Sequence, residues 1–140
     1  MDSSNGDRKS EADARAPLRI LLVEDNAFVR EQTAEMLASD GREVVACETA
    51  EQAWLEFERL PSDVLITDLS LPYMSGMELA RRVLAKRPTA WVVIASGYSL
   101  PIEPGKLGPN VRFLRKPFET QEIEVLLQGA RAMADRTRSP

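Results

Sequence analysis

Four short apolar runs, each leading into residues that can do chemistry, constrain this chain more than any other feature. Ile20-Leu21-Leu22-Val23 is followed by Glu24-Asp25, and Val64-Leu65-Ile66-Thr67 by Asp68. Val92-Val93-Ile94-Ala95 ends in Ser96, and Val111-Arg112-Phe113-Leu114 leads into Lys116-Pro117. Short apolar runs of this kind read as parallel strands buried on both faces. In an open parallel sheet, ligands bind at the carboxyl ends of the strands. Three carboxylates, one hydroxyl and one ammonium are therefore expected to converge at one edge. That set suits a hard divalent cation and a phosphoryl group.

The segments between the runs carry helical periodicity. Asn26 is the candidate N-cap of a helix over about 27–39, with Val29, Thr33, Met36 and Leu37 on one face and Gly41 as its stop. A strand is expected over 43–47. Thr49 and Gln52 form a capping-box pattern for a helix that buries Ala53, Trp54, Phe57 and Leu60 and stops at Pro61. Further strands are expected at 18–23, 63–67, 90–95 and 111–114. Ser75 caps a helix bearing Leu79, Val83 and Leu84, ending before Pro88. A last helix, about 120–134, presents Ile123, Leu126, Leu127, Ala130 and Met133. Strands alternating with helices imply an α/β fold: a doubly wound, five-stranded parallel sheet with helices on both faces. One stretch breaks the pattern. Residues 98–110 hold three prolines and two glycines in thirteen residues, so no helix of two or more turns is expected there. At most one turn, at 99–103, is allowed.

Composition removes several classes. The 140 residues fit one domain, and 44% apolar content is enough for a core. Residues 1–16 read as a disordered tail, 17–136 as the domain and 137–140 as a disordered C-terminus. The longest apolar stretch, Ala90 to Ala95, has six residues, against the roughly 20 a membrane span needs. The start lacks a secretory signal. The one cysteine, Cys47, cannot form an internal disulfide and reads as a buried small hydrophobe in a cytoplasmic chain. Net charge is −4 with no basic run, which argues against nucleic-acid binding. There is no histidine, so His-based general-base catalysis, His zinc ligands and a phosphohistidine on this chain are excluded.

Taken singly, each site element has a plain reading. Glu24-Asp25 could be a solvated turn, Asp68 a strand-end aspartate, Ser96-Gly97 a turn and Lys116-Pro117 a helix start. The argument rests on their joint placement at strand ends. Clustered carboxylates repel and raise one another's pKa, and a divalent cation removes that cost. Oxygen ligands favour Mg2+ over zinc.

The chain resembles the receiver domain of bacterial two-component response regulators. The resemblance is carried by Ile20-Leu21-Leu22-Val23-Glu24-Asp25-Asn26, Asp63-Val64-Leu65-Ile66-Thr67-Asp68, Leu71-Pro72-Tyr73-Met74-Ser75-Gly76-Met77-Glu78-Leu79, Val93-Ile94-Ala95-Ser96-Gly97 and Phe113-Leu114-Arg115-Lys116-Pro117-Phe118. It spans about residues 17–135. It implies a flavodoxin-like sheet of order 2-1-3-4-5. It implies a phosphorylation-dependent signalling switch, with Asp68 accepting a phosphoryl group from a phosphohistidine. Glu24, Asp25, Asp68 and the backbone carbonyl of Ser70 would hold Mg2+, with Glu24 acting largely through water. Ser96 and Lys116 would bind the phosphoryl oxygens, and the Lys116–Pro117 bond would be cis. Ser96 and Phe113 would form the switch, and Ser70 and Tyr98 would tune dephosphorylation, with the aromatic ring shielding the phosphoryl group. Partners would be a sensor histidine kinase or histidine phosphotransfer protein and a downstream protein. A phosphorylation-dependent dimer is compatible with this reading.

The resemblance also implies a fourth helix where 98–110 cannot supply a regular one, so that helix is expected to be short, irregular or missing. No output domain is expected after the last helix. Rival functions are a phosphorelay intermediate, a phosphate sink, a receiver fragment of a hybrid histidine kinase, and a receiver used for binding alone. A magnesium phosphatase with an aspartyl nucleophile would need a second acid two residues on, where Ser70 stands. The chain is thus expected to catalyse only its own phosphorylation and slow self-dephosphorylation.

Overall fold

The computed structural model describes residues 16–138. The expected N-terminal tail, apart from Ala16, and the last two residues lie outside the described residues. Five strands form the sheet: β1 (Leu18–Val23), β2 (Arg42–Cys47), β3 (Val64–Asp68), β4 (Trp91–Ser96) and β5 (Val111–Arg115). All neighbours pair in parallel, in the order β2-β1-β3-β4-β5. The helices are α1 (Ala27–Leu37), α2 (Ala50–Arg59), α3 (Gly76–Lys86), α4 (Pro104–Leu107) and α5 (Thr120–Arg138). None of the described helices is long and apolar enough to cross a membrane.

Strand alternation divides the core into two layers. Leu21, Val23, Leu65, Val92 and Ile94 face α2 and α3, where they meet Phe57, Leu79 and Val83. Ile20, Leu22, Val64, Ile66 and Val93 face α1 and α5, where they meet Leu37, Ile123 and Leu127. Covering both faces is why the strands read as near-continuous apolar runs rather than alternating ones.

The three expected caps are present. Asn26 Oδ1 accepts from Val29 N (3.0 Å), Thr49 Oγ1 from Gln52 N (3.1 Å) and Ser75 Oγ from Glu78 N (3.1 Å). Each takes one of the helix's orphan amide donors.

Several expectations need correction. The helical turn in 98–110 lies at 104–107, not 99–103. Pro104 starts it, because its fixed φ suits a first helical position while its ring keeps Glu103 extended (ψ 136°). Helix α1 ends at Leu37 with Ala38 as an extended cap, so Gly41 is not its stop. Gly41 instead makes the turn into β2 with φ 81°, and its carbonyl accepts from Leu18 N (2.8 Å). Leu60 caps the end of α2 and is exposed rather than buried. Trp54 is half-buried, stacked on Phe57, with Arg82 and Lys86 over its ring. Helix α5 runs on to Arg138, since no glycine or proline follows Gly129 until Pro140.

Cys47 is buried, and desolvation together with the nearby charge of Glu56 pushes its thiol up to about 11, against a smaller opposing effect of Arg30. The stability tied to keeping it neutral is fully present below its ordinary value and is lost as pH rises through about 11. At pH 8 iodoacetamide is expected to label Cys47 only after unfolding in urea; labelling at equal rates with and without urea would contradict its burial. A Cβ at Gly129 would lie 2.7 Å from Cζ2 of Trp91. Helix propensity would reward Gly129→Ala by up to about 1 kcal/mol, but overpacking a rigid ring costs about 1–3 kcal/mol. The expected result is a net loss, read as a lower urea midpoint.

Candidate functional site

The parallel register sets the strand ends level. Val23 lies beside both Cys47 and Thr67, Asp68 beside Ala95, and Ser96 beside Arg115. β1 and β3 are neighbours with the chain crossing over to β2 on the far side, which opens a crevice at their carboxyl ends. Glu24, Asp25 and Asp68 meet there, with a carboxylate oxygen of each within 4.8 Å of the others.

Lys116, at the end of β5, reaches across this crevice. Its Nζ donates to Glu24 Oε1 (2.6 Å) and to Asp68 Oδ2 (3.2 Å). Burial pulls the Lys116 ammonium pKa down, but hydrogen bonds and charges from Glu24 and Asp68 outweigh this and hold it above its ordinary value. The lysine therefore stays protonated at neutral pH and offsets part of the carboxylates' repulsion. Lys116–Pro117 is cis. Backbone Lys116 N donates to the carbonyl of Ser96 (2.8 Å), which ties β5 to β4 beside the site.

Glu24 is 7% exposed at its side chain and Asp68 16%. Both oxygens of Glu24 are engaged, since Oε2 accepts from Asn26 N (3.1 Å). Asp25 is exposed. The donor set is hard oxygen, it contains no sulfur or imidazole, and it is arranged around one point. These residues fit Mg2+.

The other sequence candidates lie around this cluster. Ser96 is buried at the end of β4, and its Oγ accepts from Tyr98 N (3.0 Å). Phe113 is half-buried on β5 opposite Ile94. Ser70 is exposed in the β3–α3 loop. Tyr98 is not brought over the cluster. It is 80% exposed, because the proline- and glycine-rich stretch after β4 offers its ring no helix to pack under.

Three residues that touch the backbone of the acidic cluster were not anticipated. Thr67 Oγ1 donates to the carbonyl of Asp68 (2.9 Å). Arg30 Nη1 donates to the carbonyl of Glu24 (2.8 Å) and, at 3.5 Å, approaches that of Asp25. Gly76 starts α3 against β3, where a Cβ would lie 1.9 Å from the Asp68 carbonyl oxygen. The serine-glycine pair at 75–76 carried a sequence signal for Gly76. Arg30 had only its place in the first turns after the acidic pair. The β3–α3 loop also holds Tyr73 in the left-handed region (φ 65°), and Met74 N donates to Glu51 Oε2 (2.9 Å).

Comparison with known proteins agrees with this geometry. Residues 20–128 match the family model for the response regulator receiver domain. This chain belongs to the response regulator receiver family. The receiver is 31% identical over 117 residues to the transcriptional regulatory protein PdtaR of Mycobacterium tuberculosis, covering 81% of this chain and 57% of that protein. It is 27% identical to the chemotaxis protein CheY of Listeria monocytogenes, covering 81% of this chain and 98% of CheY. Among solved structures, the N-terminal domain of an uncharacterized protein from Wolinella succinogenes superposes with TM-score 0.76 at 28% identity, over 86% of this chain and 99% of that one. Against other curated relatives, protein-glutamate methylesterases, this receiver spans about a quarter of their length (24% in one from Syntrophus aciditrophicus). Receiver domains are signalling switches of two-component systems and bind Mg2+ at an acidic pocket, and in this chain Glu24, Asp25 and Asp68 form an acidic cluster at the strand ends.

Gly76→Ala tests how the site is built. A methyl group 1.9 Å from a backbone oxygen has to displace α3 or the end of β3. The expected outcome is a loss of about 2 kcal/mol or more, with Mg2+ affinity lowered as well. An unchanged unfolding midpoint and unchanged metal titration would show that the contact is not enforced.

Proposed function

We propose that this receiver takes a phosphoryl group from a phosphohistidine of a sensor kinase or histidine phosphotransfer protein onto Asp68, and that the aspartyl phosphate alters docking on a downstream protein. The observation that carries this reading is the meeting of Asp68 with Glu24, Asp25 and Lys116 at the carboxyl ends of three strands.

A carboxylate oxygen of Asp68 attacks phosphorus, forming the O–P bond as the N–P bond to imidazole breaks. The departing imidazole takes up a proton. Asp25, Asp68 and the Ser70 carbonyl, with Glu24 acting through water, would hold Mg2+, which when bound would supply positive charge beside the phosphoryl oxygens. Lys116, already beside Asp68 Oδ2 (3.2 Å), supplies a second cation at the same oxygens. Ser96 Oγ accepts from Tyr98 N and keeps its own hydrogen to donate to a phosphoryl oxygen. Drawing Ser96 toward the phosphate leaves room for the Phe113 ring to turn inward, a packing change driven by a local charge. Ser70 and Tyr98 tune loss of the phosphoryl group by controlling access of water. For Tyr98 this requires its ring to move from solvent over the site.

The test is labelling by acetyl phosphate, followed on a phosphate-retarding gel. Wild type is expected to give a shifted band that requires Mg2+. Asp68→Asn is expected to give none, and Lys116→Ala to label with its rate reduced by about tenfold or more. A shift that persists in Asp68→Asn would place the phosphoryl group elsewhere. Folded wild type that accepts no phosphoryl group from acetyl phosphate or from a phosphohistidine protein would leave binding alone as the function.

A further inference from the structure

We propose that Arg30 is a positioning residue for the metal site, fixing the β1–α1 turn so that Asp25 faces Asp68. The inference rests on the phosphoacceptor reading above. It starts from where the hydrogen bonds of this turn go. Strand pairing of β1 ends with Val23, and Glu24 N still donates to the Cys47 carbonyl (3.1 Å). Beyond that point the chain leaves the sheet, and its carbonyls need other donors. Arg30 Nη1 supplies one to Glu24 (2.8 Å), with a longer approach to Asp25 (3.5 Å). The backbone N of the same arginine donates to the Asn26 carbonyl (2.9 Å), which opens α1. One residue thus ties the first turn of α1 back to the end of β1 through both its main chain and its side chain.

The two acidic residues of the turn depend on this tie unequally. Glu24 is held at its carboxylate by Lys116 and by Asn26 N, so its orientation is fixed twice over. Asp25 is exposed. The direction of its carboxylate therefore follows from the placement of its backbone, which the Arg30 clamp supports.

Charge and geometry make opposite predictions here. A guanidinium close to a divalent cation repels it, so on charge alone removing Arg30 would tighten Mg2+ binding. If Arg30 acts by positioning, removing it loosens binding. The contacts favour positioning, because the guanidinium meets carbonyls rather than a carboxylate.

The experiment is calorimetric Mg2+ titration of the full chain as wild type, Arg30→Met, Arg30→Lys and Asp68→Asn. It is joined by amide hydrogen exchange without metal. Arg30→Met is expected to raise the Mg2+ Kd by about fivefold, the scale of one hydrogen bond. Arg30→Lys keeps a donor and the charge, and is expected to return within about twofold of wild type. Exchange at the Asn26 and Val29 amides is expected to quicken about tenfold in Arg30→Met, with Leu79 on α3 unchanged. Equal or tighter Mg2+ binding by Arg30→Met, or unchanged exchange at 26 and 29, would overturn the proposal. If wild type binds no Mg2+, or Asp68→Asn binds as well as wild type, the phosphoacceptor reading falls and takes the metal-site role of Arg30 with it.

Discussion

Carboxylates within 4.8 Å of one another repel, and the upper edge of this sheet is organised around that repulsion. Like charges this close raise the energy of the folded state unless positive charge is placed beside them. Lys116 counters this from the end of β5, four strands after β1 in sequence order and three places away in the sheet. Its bonds to Glu24 and Asp68 span 92 and 48 residues of sequence, so they exist only when β1, β3, β4 and β5 are all in register. The charge balance of the site is thus a product of the whole sheet.

The lower edge carries a different kind of bond. Asp63 is 5% exposed, and its carboxylate accepts from Arg19 N (2.8 Å) and from Arg87 Nη2 (3.2 Å). Its backbone N donates to the Arg19 carbonyl (2.9 Å), and its carbonyl accepts from Trp91 N (2.9 Å). Arg87 also reaches the Ser62 carbonyl (2.7 Å). The starts of β1, β3 and β4 are therefore fastened at one buried residue, through both its carboxylate and its backbone. Removing one partner of such a buried pair typically costs about 3–5 kcal/mol.

Much of this was legible in the sequence because the signals were local. Strand runs buried on both faces have no polar interruptions, and Asn26, Thr49 and Ser75 each bond the amide three residues ahead. The convergence of Glu24, Asp25, Asp68 and Lys116 was legible because a parallel sheet puts every strand's carboxyl end at one edge. What escaped was of two kinds. Helix ends depended on what followed them: Leu37 stops α1 through an extended Ala38, and α5 continues because nothing breaks it. Long side chains and bare backbone were the other kind. The reach of Arg30 to two carbonyls and the closeness of Gly76 to Asp68 depend on three-dimensional approach, which no spacing encodes. Tyr98 stood where the resemblance implied a shield, but the ring lies in solvent because a one-turn α4 gives it no wall.

The separation of these two edges has a consequence for how such a chain can change. Asp63, just before β3, and Asp68, at its end, are five residues apart in sequence, yet they draw on different partners. Substitutions around Arg19, Arg87 and Trp91 can raise or lower the melting point and leave the carboxyl edge alone. Substitutions in the exposed turns after β1, β3 and β4 can redirect recognition and leave the fastening alone. A lineage of such chains can therefore acquire new signalling partners without drawing on its reserve of stability.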